Sequence, residues 1–138
     1  MWDTAGQEKF RSVAKSYFKN ADGIILVYDI NNRLTFKSMN FWLEEFENNS
    51  KNFDSSLPKK PALILGNKSD FDDQFKQIST IELEKFADEN QLIAREVSAK
   101  KNSGKQIQSA INDLIDLIVE LSKLFFLINI QIKIKNQN

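Results

Sequence analysis

Three continuously apolar runs limit the fold of this chain more than any other feature of its sequence. They are GIILVYDI at 23–30, PALILG at 61–66 and the weaker LIAREVS at 92–98. A strand that helices cover on both faces loses the alternation of apolar and polar side chains, so such runs are typical of buried parallel strands. Helical patterns separate the three runs. The sequence therefore predicts a three-layer α/β domain with a mostly parallel sheet.

Four segments carry apolar residues at helical spacing and predict the helices of this domain. The apolar stripe of the first helix is Phe10, Val13, Ala14, Tyr17 and Phe18, and that of the second is Phe36, Met39, Leu43 and Phe46. The third helix starts near Ser79. The stripe of the last helix is Ile107, Ile111, Leu114, Ile118, Leu121 and Phe125.

Cap residues define where these helices begin. Asn32 or Thr35 is expected to cap the second helix. Ser79 and Glu82 have the spacing of a capping box, and Ile78 with Leu83 could form the hydrophobic staple beside it. Ser103 and Gln106 offer a similar box for the last helix. The start near Ser79 is the best-defined helix boundary in the sequence.

Composition excludes several classes of chemistry. The chain has no cysteine and no histidine, which removes disulfides, thiolate nucleophiles, zinc–thiolate sites and the commonest general base. Its 19 basic and 19 acidic residues cancel, so no global field favours nucleic acid or an anionic membrane. We therefore expect no nucleic-acid partner. Without cysteine the chain as written has no site for prenylation.

Three polar motifs flank the predicted strands: one precedes the first strand, and the other two follow the second and third strands. Asp-x-x-Gly at 3–6 is weak alone, because an ordinary turn can have that pattern. Asn67-Lys68-Ser69-Asp70 follows the second strand and Ser98-Ala99-Lys100 follows the third. Ligands of open α/β sheets bind beyond the carboxyl ends of the strands. The motifs are therefore expected to converge at one rim of the sheet.

Those motifs, in that order, resemble the Ras superfamily of small GTPases, and most closely its Rab branch. WDTAGQEKFRSV is similar to the family's magnesium and gamma-phosphate motif with the second switch, and YFKNADGIILVYDI to the Rab stretch that follows it. GNKSD resembles the guanine-specificity motif and EVSAK the last nucleotide loop. The resemblance covers roughly residues 1–122 and implies a P-loop-NTPase-like fold that binds GTP or GDP with Mg²⁺.

The resemblance implies a role for each residue of the two base-binding loops. Asp70 would accept two hydrogen bonds from the guanine edge, which adenine cannot offer, and such pairing discriminates strongly. Asn67 would brace the loop and contact the base, while the stem of Lys68 would lie across base and ribose. Ala99 would donate its backbone N–H to the guanine oxygen, with Ser98 and Lys100 holding that loop.

Phosphate chemistry would belong to the amino-terminal motif. Asp3 would reach Mg²⁺ through a water, Gly6 would donate its N–H to the gamma-phosphate, and Gln7 would orient the attacking water, the role that an equivalent glutamine has in related GTPases. Hydrolysis would be slow without an activating protein. Trp2, Phe10 and Tyr17 match positions that Rab proteins present to effectors; for Trp2 and Tyr17, packing in the core is an equal alternative.

The family's phosphate loop is missing from this chain. That loop has the pattern G-x-x-x-x-G-K-[ST], whose backbone N–H groups and lysine cradle the phosphates. The nearest segment, Ser103-Gly104-Lys105, has Ala99 in place of the first glycine and Gln106 in place of the hydroxyl residue. The first switch is missing as well. We therefore expect an amino-terminally truncated domain that binds nucleotide weakly, has poor stability and aggregates through an exposed strand edge at 23–30.

The carboxyl-terminal residues differ from the flexible, cysteine-ended anchor of the family. LFFLINI is expected to continue the last helix, whereas IQIKIK alternates like a strand. Only about nine uncharged residues separate Lys123 from Lys133, against roughly twenty for a membrane span. The expected organisation is a partial GTPase domain at 1–123 and an atypical tail at 124–138.

Two functions of different classes remain open at this stage. In the first, the chain is a Rab-like GTPase switch in vesicle-mediated transport, meeting exchange factors, activating proteins and effectors in the cytosol and on the cytosolic face of endomembranes. In the second, it is a non-catalytic interaction module that engages Rab effectors or regulators through the second-switch helix.

Overall fold

A computed structural model of the chain describes residue 1 and residues 11–50, 59–101 and 104–135. Helices and strands alternate along the sequence, as the apolar runs predict. The elements are α1 (Arg11–Phe18), β1 (Ile24–Asp29), α2 (Arg33–Asn49), β2 (Ala62–Asn67), a short 3₁₀ helix (Asp73–Phe75), α3 (Thr80–Asn90), β3 (Ile93–Glu96) and α4 (Lys105–Lys135).

The three described strands form one parallel sheet in the order β1-β2-β3. All three predicted strands are confirmed, with ends that differ by one or two residues. Leu63 and Ile64 of β2 are fully buried, because β2 is the central strand and helices cover both of its faces. Burying side chains of this size contributes about 1.5–3 kcal/mol each. The α/β fold class of the sequence analysis is therefore correct.

Two layers of helices enclose the sheet. On one face, α2 and α3 cover a cluster that includes Tyr28, Phe36 and Ile64. On the other face, α4 covers Leu63 and Leu65 through Ala110 and Leu114. Helix α1 packs on α2, where the rings of Phe18 and Phe46 meet edge to face with centroids 5.7 Å apart. The stripe predicted for α2 thus faces the core, and of the stripe predicted for α4, Ile107, Leu114 and Ile118 pack in it.

The helix caps match the sequence in part. Asn32 caps α2 by accepting the N–H of Leu34, and Ser79 caps α3 by accepting the N–H of Glu82. The predicted capping box is only half formed, because the Glu82 carboxylate pairs with Arg33 of α2 instead, at 2.6 Å. A guanidinium that can bind both carboxylate oxygens is a stronger partner than one backbone N–H. Ser103 lies outside the described residues.

The carboxyl-terminal segment corrects one prediction. IQIKIK, which alternates like a strand, lies within α4, and that helix continues without a break across residue 123 to Lys135. A growing helix adds one hydrogen bond for each residue it orders, whereas a strand needs a neighbouring strand for its hydrogen bonds. The domain boundary at 123 stays a prediction.

Candidate functional site

The carboxyl ends of β1, β2 and β3 meet at one rim of the sheet. Asp29 at the end of β1 is in register with Asn67 at the end of β2. The Ser69 N–H donates to the Val97 carbonyl at 3.1 Å, which ties the loop after β2 to the residues after β3. Parallel strands place their following loops at the same edge, so motifs far apart in sequence become neighbours. This rim is the candidate site.

Asn67 bridges the two loops that carry the predicted base-binding residues. Its side-chain oxygen Oδ1 accepts the Ala99 N–H at 3.0 Å and the Lys68 N–H at 2.8 Å. Lys68 has a positive φ of 71°, a backbone conformation that residues other than glycine rarely adopt. The Ala99 N–H, assigned by resemblance to a guanine oxygen, therefore has an internal acceptor here. A ligand oxygen would have to share or replace it.

The Asp70 carboxylate is held by the loop after β3. Oδ1 of Asp70 accepts the hydroxyl of Ser98 at 2.7 Å, and Ser98 Oγ in turn accepts the Lys101 N–H at 2.9 Å. Ser98 is buried, so its hydroxyl is fixed in direction. The hydrogen bond from Ser98 lowers the pKa of Asp70, with the positive charge of Lys100 and Lys101 adding to the effect. Asp70 is therefore an ionised acceptor at neutral pH.

Lys68 forms an ion pair across the rim with Asp29. Its ammonium Nζ lies 2.5 Å from Asp29 Oδ2, while the Lys68 side chain remains half exposed. Burial on its own would raise the pKa of Asp29, but the Lys68 ammonium and the Asn31 N–H outweigh it and lower that pKa. Asn31 also donates its Nδ2 to the Lys68 carbonyl at 3.4 Å. The loop after β1 therefore belongs to the site.

Sequence reasoning missed Asp29 and Asn31. Asp29 is the second-last residue of the first apolar run, and Asn31 directly follows that run. The rule that found the motifs after the second and third strands would therefore have found both residues. The sequence pattern assigns YDI only to the end of a strand. The signal was present in the sequence, but no partner for Asp29 could be chosen without the fold.

The other predicted site residues are not among those that the structure describes at this rim. Trp2, Asp3, Gly6, Gln7 and Phe10 lie outside the described residues. Tyr17 of α1 is partly buried, and its role at a partner surface stays a prediction. Among the side chains described, no three acidic residues converge in a way that could hold a metal ion. The described rim thus contains the residues that were predicted to bind the base.

Comparisons with known proteins agree with the sequence motifs. Residues 1–120 match the Ras family. The chain is 35% identical over 124 residues to Ras-related protein Rab-32D of Dictyostelium discoideum, a match that covers 89% of this chain and 53% of the relative. It is 38% identical over 110 residues to Ras-related protein Rab-4B of Rattus norvegicus, covering 80% and 47% respectively.

A third relative shows the same pattern. Ras-related protein Rab-18 of Lymnaea stagnalis is 36% identical over 120 residues, covering 87% of this chain and 55% of the relative. The chain therefore spans about half the length of these curated relatives. Within the residues that the structure describes, no helix is both long enough and apolar enough to cross a bilayer.

Proposed function

Because the chain belongs to the Ras family and is similar to its Rab members, we propose that it is a Rab-like small GTPase whose described rim binds the guanine base of GTP and GDP. The observation that supports this most directly is the joining of two loops. Asn67, the last residue of β2, accepts the Ala99 N–H, and Asp70 in the loop after β2 accepts the Ser98 hydroxyl.

Base selection would follow from the chemistry of Asp70. Guanine presents two N–H donors on its edge, and an ionised carboxylate can accept both. Adenine lacks the N1–H that such a site needs, so the carboxylate would be left without a donor. The Ser98 hydroxyl fixes the carboxylate in direction before the base arrives. Preorganisation of this kind lowers the cost of binding.

The phosphate end of the site is proposed from sequence similarity. Asp3 would approach Mg²⁺ through a water, Gly6 would donate to the gamma-phosphate and Gln7 would orient the attacking water. When bound, Mg²⁺ would neutralise charge on the phosphates. Because this sequence has no phosphate-loop pattern, we expect weak nucleotide binding; without an activating protein, hydrolysis would be very slow. A regulatory role in vesicle-mediated transport, with Rab-type exchange factors, activating proteins and effectors at endomembranes, is the role that the similarity supports.

The test is a titration of isotopically labelled chain with GDP and, separately, ADP, followed by NMR because it detects weak binding. We expect shifts at residues 67–70 and 98–100 with GDP and none with ADP. Asp70→Asn changes one acceptor into a donor, so it should weaken GDP binding and favour xanthosine diphosphate, whose 2-oxo group accepts that donor. Asp73→Asn, an exposed neighbour, is the matched control and should bind as the unaltered chain does. Equal shifts with GDP and ADP would refute the proposal.

No described contact favours the alternative of a non-catalytic interaction module. Helix α1, the second-switch helix of that hypothesis, packs on α2 through Phe18. The ammonium of Lys15 also lies 3.5 Å from the Glu45 carboxylate of α2. These contacts fix the helix on the domain without indicating a partner, so the alternative stays an untested prediction.

A further inference from the structure

We infer that Asp29 is a positioning residue for the proposed guanine site, and that it holds the Lys68 side chain extended along the rim before nucleotide binds. The inference rests on the proposed function. The inference goes beyond that function by assigning a role to Asp29 at the end of β1, to which neither the sequence motifs nor the proposed base contacts assign one.

Asp29 is itself held in place from two directions. Its backbone N–H donates to Thr35 Oγ1 at 3.0 Å, and Thr35 Oγ1 donates to the Asn32 carbonyl at 2.7 Å in the first turn of α2. Its side-chain Oδ1 accepts the Asn31 N–H at 2.9 Å. The second oxygen, Oδ2, faces Lys68. The carboxylate is therefore a fixed anchor with one oxygen directed at the lysine.

Lys68 is restrained at both of its ends. At the backbone, its N–H donates to Asn67 Oδ1 at 2.8 Å and its carbonyl accepts Asn31 Nδ2 at 3.4 Å. At the tip, its ammonium is 2.5 Å from Asp29 Oδ2. The contacts at both ends restrain the aliphatic stem between them. Half of the side chain is exposed, which leaves the stem accessible to a flat ligand.

This restraint would lower the cost of binding a base. A free lysine side chain is among the most flexible, and ordering it on binding opposes affinity. Here the ion pair orders the stem beforehand, beside the loop that carries Asp70. Asp29 need not touch the nucleotide, because it would act through Lys68.

A double-mutant cycle with GDP as the probe tests this role. Asp29→Asn preserves size and one oxygen for the Asn31 N–H, but it removes the negative charge that faces Lys68. We expect it to weaken GDP binding by about three- to tenfold, as for residues coupled in one network. Lys68→Met should also weaken binding, and adding Asp29→Asn to Lys68→Met should then have no further effect. Asp22→Asn, an exposed aspartate before the same strand, is the matched control and should leave GDP affinity unchanged.

A second measurement does not depend on how well Asp29→Asn folds. Carbon-13 NMR of the Asp29 carboxyl should show its pKa rising in Lys68→Met, because the facing ammonium is lost. An unchanged Asp29 pKa would show that the ion pair is not formed in solution and would overturn the inference.

The outcomes separate this inference from the proposed function. If the unaltered chain does not prefer GDP to ADP, the guanine site fails and the role of Asp29 fails with it. If the unaltered chain prefers GDP and Asp29→Asn binds GDP equally well, the guanine site stands and the positioning role alone is overturned. Additive losses in the double variant would also contradict it, because they would show that Asp29 does not act through Lys68.

Discussion

Helices α2 and α3 cover one face of the sheet, whereas α4 alone covers the other. As a result, the two faces of β1 are buried to different extents. Tyr28 of β1 faces α2 and α3 and is 2% exposed, but its neighbour Val27 on the opposite face is 55% exposed. The central strand β2 is buried on both faces. Coverage of a strand therefore depends on its place in the sheet as much as on its own sequence, since both strands are continuously apolar.

The largest effect should come from truncating β2 on each face. Ile64→Ala opens a cavity under α2 and α3, and Leu63→Ala opens one under α4; both side chains are 0% exposed. Each should lower the free energy of unfolding by roughly 2–5 kcal/mol. Ile64→Ala should cost more, because two helices restrict relaxation on its face, whereas α4 alone covers the face of Leu63. Denaturant unfolding measures both, and an equal or reversed order would show that the α4 face is equally rigid.

A smaller effect is expected from crowding the α2 and α3 face. A Cβ added at Gly66 would lie 2.8 Å from the Tyr28 hydroxyl oxygen and 2.9 Å from a methyl of Ile30. Gly66→Ala should therefore destabilise the fold by about 1–3 kcal/mol, as overpacking does. Adding Tyr28→Phe removes the nearest atom and should restore part of the loss in a thermal melt.

Tyr28→Phe alone is the control for that experiment. The Tyr28 hydroxyl is buried and has no hydrogen-bond partner among the residues described. Burial, with the nearby carboxylates of Glu96 and Glu82, raises the pKa of this hydroxyl, so it stays protonated. Removing an unpaired buried hydroxyl is near neutral or stabilising. A marked loss of stability in Tyr28→Phe would show that the hydroxyl has a partner in solution.

The smallest change in stability is expected at the exposed face of β1. Val27→Lys should alter the free energy of unfolding by no more than about 0.5 kcal/mol, as surface substitutions usually do. It should nevertheless reduce self-association, because no strand pairs with the outer edge of β1 in the part of the chain described here, and lysine protects such edges. Light scattering measures this. Ile81→Lys changes an exposed side chain on α3 and should leave self-association unchanged; similar results for both variants would exclude the edge as its cause.

Much of the fold was predictable because its signals are local. The apolar runs predicted all three strands, and Asn32 and Ser79 cap their helices as the sequence indicated. The loops after β2 and β3 were expected at one rim, and the structure places Asn67 beside Ala99 and Asp70 beside Ser98. Strand direction alone decides that convergence, so the pattern of strands was enough to predict it.

The sequence by itself determined the order of helices and strands and the family of the chain, because periodicity, caps and motifs depend on residues that are close together in the sequence. Only the tertiary structure decided which distant side chains meet. Glu82 binds Arg33, 49 positions away, rather than completing its own cap, and Lys68 binds Asp29. A charged side chain pairs with the best partner within reach of its tip, and the packing of helices on the sheet sets that reach.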